Sequence, residues 1–205
     1  MAILIIIAFV AYLLGSFNAA YWFGKWFHGI DIRKHGSKNA GATNLLRVAG
    51  WKAALPAFII DVAKAYAAVS LAFLQNLWAD GSEAFMILQI SLGFMAVLGH
   101  LFPLFSGFRG GKGVASTLGV VIAVHPLAAM SSLGIFLLVF LITRIVSVSS
   151  MTAGISFPLF LFFVFGEKTS ALLIFSVIVA LLLLISHKNN IKKLLRGEEK
   201  PLRFK

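Results

Sequence analysis

The chain has 205 residues, 60% of them hydrophobic and only 12% charged, with a mean hydropathy of +0.96. Soluble domains run nearer about 45–50% apolar and 25% charged, so a soluble globular domain is excluded. The formal net charge of +11, from 18 Lys and Arg against 7 Asp and Glu, points in so apolar a chain to membrane topology rather than to nucleic acid.

Residues 1–24 are apolar from the second position and lack a basic leader, so they read as a retained first span and not as a cleaved signal peptide. A polar stretch over 25–52 follows. Apolar runs resume at about 53–76, 84–105, 114–143, 151–165 and 169–186, and a basic tail fills 188–205. A spanning helix takes roughly 20 residues, which leaves no room for a separate soluble domain. The expectation is one transmembrane domain over 1–205.

The 114–143 run is either one long tilted helix or two short helices broken at His125-Pro126. Charge decides between them. With a break there are seven spans, and sixteen Lys and Arg in the connectors and tail fall on one side against Lys168 alone on the other. With one span the split is nine to eight. The positive-inside rule prefers the first. The predicted fold is an all-α integral membrane protein with seven transmembrane helices, the N-terminus outside and the C-terminus cytoplasmic.

Most polar residues without an obvious structural duty lie on that cytoplasmic side, in four places. The first is Gly36-Ser37-Lys38-Asn39-Ala40-Gly41-Ala42-Thr43-Asn44, with Arg47 and Gly50 beyond it. Glycines let backbone N–H groups converge on an anion, and Ser, Thr and Asn add side-chain donors. The plainer alternative is a flexible surface loop. The second is Gly99-His100 followed by Phe108-Arg109-Gly110-Gly111-Lys112-Gly113. It opens a predicted helix, so free N–H groups, the helix dipole and a Lys share one spot. It lacks the Walker A spacing, and its plainer alternative is a turn carrying topology anchors.

Asp61 and Lys64, three apart within a span, share a helix face and are either a functional or a purely structural ion pair. The fourth place combines Arg144, Ser147, Ser149 and Ser150 with His187, Asn190, Arg196 and Glu198. His28, His35 and His125 read as cap or interface residues, and the four Trp as an interface belt. No cluster of carboxylates or His suggests a metal site. The residues alone thus describe a cytoplasm-facing site with two phosphate cradles, set among apolar helices that suit an acyl chain. A phosphate or headgroup transporter fits less well, because the polar motifs sit in connectors on one face and no repeat is visible.

These motifs, with Gly15-Ser16 in the first span and Gly197-Glu198 in the tail, resemble the bacterial acyl-phosphate:glycerol-3-phosphate acyltransferases, the PlsY family. The resemblance runs from the first span to the tail. It departs at Asn18, where Pro is common, and at Lys192-Lys193, where Arg is common, neither placed in the cradles. It implies a bacterial inner-membrane enzyme of phospholipid synthesis. That enzyme moves a fatty acyl group from acyl phosphate to the 1-hydroxyl of glycerol 3-phosphate, giving lysophosphatidic acid and phosphate. Ser37, Asn39, Gly41, Thr43, Asn44, Gly110, Gly111 and Gly113 are then expected to hold the acyl-phosphate headgroup. Arg47, Lys112, Ser149, Ser150, His187 and Asn190 are expected to hold glycerol 3-phosphate, with Asp61, Lys64 and His100 in support. A phosphate oxygen of the donor takes the hydroxyl proton, His187 as general base being the less favoured variant. A monomer in the bilayer is expected, with no cofactor, metal or nucleic acid.

Overall fold

The computed structural model describes residues 2–202, so the last three positions of the basic tail lie outside the described residues. Ten α-helices and no strand occur among them. They pack as two compact units, one running up to Val124 and one starting at His125.

Four helical segments are long and apolar enough to cross a membrane, namely Trp51–Leu74, Glu83–Ser106, Pro126–Thr143 and Val146–Val164. Two bent pairs raise the number to six if each is one span, the pairs being Ala2–Ser16 with Ala19–His28 at 43° and Ser170–Ser186 with Lys188–Leu195 at 59°. Val114–Val124 is apolar but shorter. Large apolar side chains such as Ile5, Ile6, Phe9, Ile59, Leu141 and Phe163 stand exposed, as a hydrocarbon solvent allows.

The first unit holds α1 (Ala2–Ser16), α2 (Ala19–His28), α3 (Ala42–Ala49), α4 (Trp51–Ser70), α5 (Glu83–Leu101) and α6 (Val114–Val124). The first span is not the continuous helix expected over 1–24. Asn18 takes an extended conformation and its Oδ1 accepts the Tyr21 N–H at 2.9 Å, so it caps a new helix instead of continuing the old one. Small residues then set the packing. A Cβ on Gly15 would overlap the Ala96 carbonyl, and one on Gly99 would overlap the Tyr12 carbonyl. Backbones therefore touch where α1 crosses α5, which in lipid is the source of van der Waals attraction between helices. Gly119 serves α6 in the same way against the Val62 carbonyl of α4.

The second unit holds α7 (Pro126–Thr143), α8 (Val146–Leu159), α9 (Ser170–Ser186) and α10 (Lys188–Leu195). The long apolar run is broken at the expected dipeptide. Pro126 occupies the first turn of α7, where its missing N–H costs nothing, and His125 Nδ1 accepts from the Ala128 N–H at 3.1 Å. Arg144 ends α7 in the left-handed region at φ 55°. Pro158 lies inside α8, which passes into a π-helical turn over Phe160–Val164. After that turn Glu167 accepts from the Lys168 and Thr169 N–H groups. A hydrogen bond from the Thr169 side chain, followed by that from its N–H, holds the Glu167 carboxyl below the usual range.

Candidate active site

The break between α1 and α2 is filled by charge. Lys64 Nζ lies 2.7 Å from Asp61 Oδ1, their side chains 6% and 1% exposed. Lys64 also donates to the Phe17 carbonyl at 2.6 Å, and Asp61 Oδ1 accepts the Ala19 N–H at 3.4 Å. Interrupting a helix strands carbonyls on one side and amides on the other. Lys64 and Asp61 each satisfy one of them. The third Lys64 contact is His100 Nδ1 at 3.1 Å, on a ring only 3% exposed. An ammonium has donors and no acceptor, so in this contact Nδ1 accepts, with Asp61 Oδ1 3.6 Å from the same nitrogen.

The first glycine-rich loop is tied around Asn44. That side chain, 1% exposed, donates to the carbonyls of Ile32, His35 and Asn39 at 2.8, 3.1 and 2.9 Å and accepts the Ser37 N–H at 2.8 Å. Gly36 and Lys38 both adopt positive φ, 56° and 60°, and a Cβ on Gly36 would overlap Asn44 Oδ1. Asn44 therefore shapes the loop, its amide already engaged by the loop itself. Ser37 is exposed, and Asn39, Gly41 and Thr43 are half-buried around the opening of α3. Gly41 stands at that opening with no capping side chain. Arg47 lies exposed in the last turn of α3.

Asn18, read from sequence as remote from the cradles, touches the first one, since its Nδ2 donates to the Ala40 carbonyl at 2.9 Å. An extended, buried Asn has donors that must find a partner, and the loop passes beside it.

In the second loop Gly110 and Gly111 are not the outward-facing amide donors that the sequence suggests. Their N–H groups donate to the Leu101 and His100 carbonyls at 3.1 and 3.3 Å, because α5 ends there and leaves those carbonyls without helical partners. Their role is close approach. A Cβ on Gly110 would overlap the His100 carbonyl, and one on Gly111 would overlap His100 Nε2 and lie 3.1 Å from the Ala40 carbonyl. The two loops and His100 therefore meet at Gly111. Gly113, at φ 80°, turns the chain into α6, whose first-turn amides have no carbonyl of their own helix to bond. Lys112 is half-buried just before that turn.

Arg33, which sequence reasoning passed over, ties the second loop to the connector after α2. Its guanidinium pairs with Asp31 at 2.9 Å, stacks 4.2 Å over the Tyr21 ring and donates to the Ser106 carbonyl at 2.6 Å. The hydrogen bond from Arg33 holds the Asp31 carboxyl below the usual range, and the same bond raises Arg33. The only prior signal was an Asp two residues ahead of an Arg.

In the second unit Ser149 and Ser150 are buried, with hydroxyls bonded back to the Ile145 and Val146 carbonyls at 3.0 and 2.8 Å. His187, 2% exposed, sits at the bend between α9 and α10 with Nδ1 2.8 Å from the Leu183 carbonyl. A carbonyl only accepts, so Nδ1 carries a proton there. Glu199, and not the Glu198 of the sequence motif, gathers Asn190 and Ser147 on one carboxylate oxygen. Among the described residues no group of three or more His, Asp or Glu is placed to share a metal ion.

Known proteins match nearly the whole chain. The family model described as glycerol-3-phosphate acyltransferase matches residues 5–197. A glycerol-3-phosphate acyltransferase of Salinibacter ruber is 38% identical, covering 97% of this chain and 92% of its own, and one of a Thermoanaerobacter species is 44% identical over 97% and 95%. The crystal structure of PlsY (YgiH), an integral membrane glycerol 3-phosphate acyltransferase, in its glycerol 3-phosphate form superposes with a TM-score of 0.87 at 36% identity over 98% of this chain and 96% of that one. Its lysophosphatidic acid form gives 0.84 at 35% identity over 98% and 95%. By the family model, these relatives and these structures, the chain belongs to the glycerol-3-phosphate acyltransferase family of integral membrane enzymes.

Proposed function

We propose that the protein transfers a fatty acyl group from acyl phosphate to the 1-hydroxyl of glycerol 3-phosphate, yielding lysophosphatidic acid and inorganic phosphate. The observation that carries this reading is the meeting of the two glycine-rich loops at Gly111 and Ala40, three residues before α6 and two before α3. Two helix openings converging on one place favour a compact anion of phosphate size. Ser37, Asn39, Gly41 and Thr43 face it from one loop. Asn44, Gly110, Gly111 and Gly113 give the loops their shape. Arg47 and Lys112 supply positive charge for glycerol 3-phosphate, and Ser149, Ser150, His187 and Asn190 complete its contacts as the family resemblance implies.

Acyl phosphate is an activated mixed anhydride, so no nucleophilic side chain is required. The 1-hydroxyl oxygen bonds to the acyl carbon, the bond from that carbon to the bridging phosphate oxygen breaks, and the departing phosphate takes the hydroxyl proton on one of its own oxygens. The protein's part is alignment and stabilisation of charge developing on carbonyl and phosphate. Seven spans, with α6 as a short one and the loops on the basic, cytoplasmic side of a bacterial inner membrane, accord with the charge split. A single domain acting as a monomer completes the reading.

Purified protein given glycerol 3-phosphate with either palmitoyl phosphate or palmitoyl-CoA tests it. Lysophosphatidate and equimolar phosphate should form from the acyl phosphate and not from the thioester. Equal use of both donors, or loss of activity in a chelator, overturns it.

A further inference from the structure

The last apolar helix ends in an abrupt turn. α9 carries no charge, whereas α10 leaves it at 59° and carries Lys188, Lys192 and Lys193, with Arg196 at its end. Charge is expensive in hydrocarbon, so a segment this basic belongs outside it. Lys188, Lys192 and Arg196 recur every fourth residue and form one row along the helix, with Lys193 beside it. All four are exposed, and none of the ion pairs among the described residues uses them. Leu195, seven residues after Lys188, stands on the edge of that row. At 84% exposure it is the most exposed large apolar side chain among the described residues.

Eight residues are too few to hold a helix in water unaided. This one is pinned from its other side. Asn190 and Ser147 both donate to Glu199, the Glu198 N–H donates to the Lys193 carbonyl at 2.8 Å, and the Leu202 N–H donates to the Arg144 carbonyl at 2.7 Å. Leu202 itself is buried. Glu199 is thereby turned away from the basic row, which leaves Glu198 as the only exposed carboxylate of residues 188–200. The tail presents its cations and Leu195 from a fixed scaffold.

We propose that α10 is a bilayer-surface helix that recognises anionic phospholipid. Leu195 enters the acyl boundary, while Lys188, Lys192, Lys193 and Arg196 take headgroup phosphates with their aliphatic stems laid along the apolar surface. Place and charge choose this partner. The row begins two residues past the end of α9, where lipid headgroups lie, and basic clusters beside a span attract acidic lipid. An acidic protein would need the cations alone and leaves the exposure of Leu195 at headgroup level unexplained. The proposal goes beyond the acyl-transfer reading and depends on neither the acyl donor nor the glycine-rich loops.

The full chain has no Cys of its own, so Leu195→Cys can carry a bimane label in nanodiscs. Quenching by spin-labelled phosphatidylglycerol is compared with quenching by spin-labelled phosphatidylcholine of the same tail at equal mole fraction. One cation near an anionic surface contributes about fivefold. The relative binding constant at position 195 should therefore favour phosphatidylglycerol by about fivefold or more at low salt, and fall toward one in about 0.5 M NaCl. The quadruple variant Lys188→Gln, Lys192→Gln, Lys193→Gln, Arg196→Gln should show no preference at low salt. Nor should a label at Ile5, on the uncharged α1. A label at 195 that neither lipid quenches puts the helix in water, and equal quenching by the two lipids removes the selectivity; either overturns the proposal. So does a preference that survives in the quadruple variant. An unquenched label that polyglutamate shields would name an acidic chain as the occupant instead. Should the quadruple variant fail to insert, the salt series on the parent chain decides, and a preference unmoved by salt overturns the proposal.

Discussion

Replacing Lys64 by Met keeps most of the side-chain volume and removes the ammonium that three groups share. Asp61 Oδ1 loses its 2.7 Å partner while 1% exposed, the Phe17 carbonyl loses its donor, and His100 Nδ1 loses the bond that orients it. Leaving one member of a buried pair uncompensated costs about 3–5 kcal/mol. At about 2–4 °C per kcal/mol for a chain of this size, the melting temperature should fall by roughly 6–20 °C. The double variant Asp61→Asn/Lys64→Met removes both charges and should lie within about 1–2 kcal/mol of the parent, because only the Phe17 carbonyl and weaker neutral bonds are then unsatisfied. Tryptophan fluorescence during heating in detergent reads both. A single variant melting within about 2 °C of the parent, or a double variant no better than the single, would refute the reasoning.

Lys112→Ala should lose most activity while staying folded, since removing an anion-binding charge from a partly desolvated site costs about 2–5 kcal/mol; parent-like kinetics would take Lys112 out of the site. Gly110→Ala and Gly111→Ala should differ in kind. The first drives a methyl into the His100 carbonyl and to 2.7 Å from the Leu101 carbonyl, so its melting temperature should drop, whereas the second meets a side chain and should chiefly lower turnover. Two stable, active variants would mean that the loop tolerates substitution. The Asp31 carboxyl is held below its ordinary value of about 3.9 by Arg33. Its stabilisation is therefore fully present above that pH and disappears as pH falls through the lowered folded value. The melting gap between parent and Asp31→Asn should stay constant from pH 8 to about pH 5 and close below about pH 4; a gap that widens in acid contradicts the clamp. Single cysteines at 168 and 200, in a chain with none of its own, should label from outside and from the cytoplasm respectively. Labelling from the opposite sides would sink the topology.

The helices were readable from sequence because apolar runs of this length allow little else, and Pro126 marked its own boundary. The break after Ser16 was not. No glycine or proline stands at 17 or 18, and the interruption depends on a Lys and an Asp some 45 residues later in the chain that meet its loose carbonyl and amide. Similarly, the polar composition of residues 36–44 identified the loop, while the inward duty of Asn44 depends on which carbonyls curl around it. The glycines of the second motif were singled out as phosphate donors, but whether their amides face a ligand or the end of α5 is a three-dimensional matter. The aspartate and arginine at 31 and 33 looked like ordinary surface charge until Ser106 and Tyr21 came within reach.

The knot around Asn44 makes residues 32–44 a segment of fixed length. Surface connectors ordinarily absorb insertions and deletions. Here one side chain reaches carbonyls at 32, 35 and 39 and the amide at 37, so adding a residue anywhere between 32 and 39 shifts at least one of them out of register. A scan of single-residue insertions along the gene should find this stretch, although outside any long helix, as intolerant as a helix interior, with permissive positions resuming in the connector after α4.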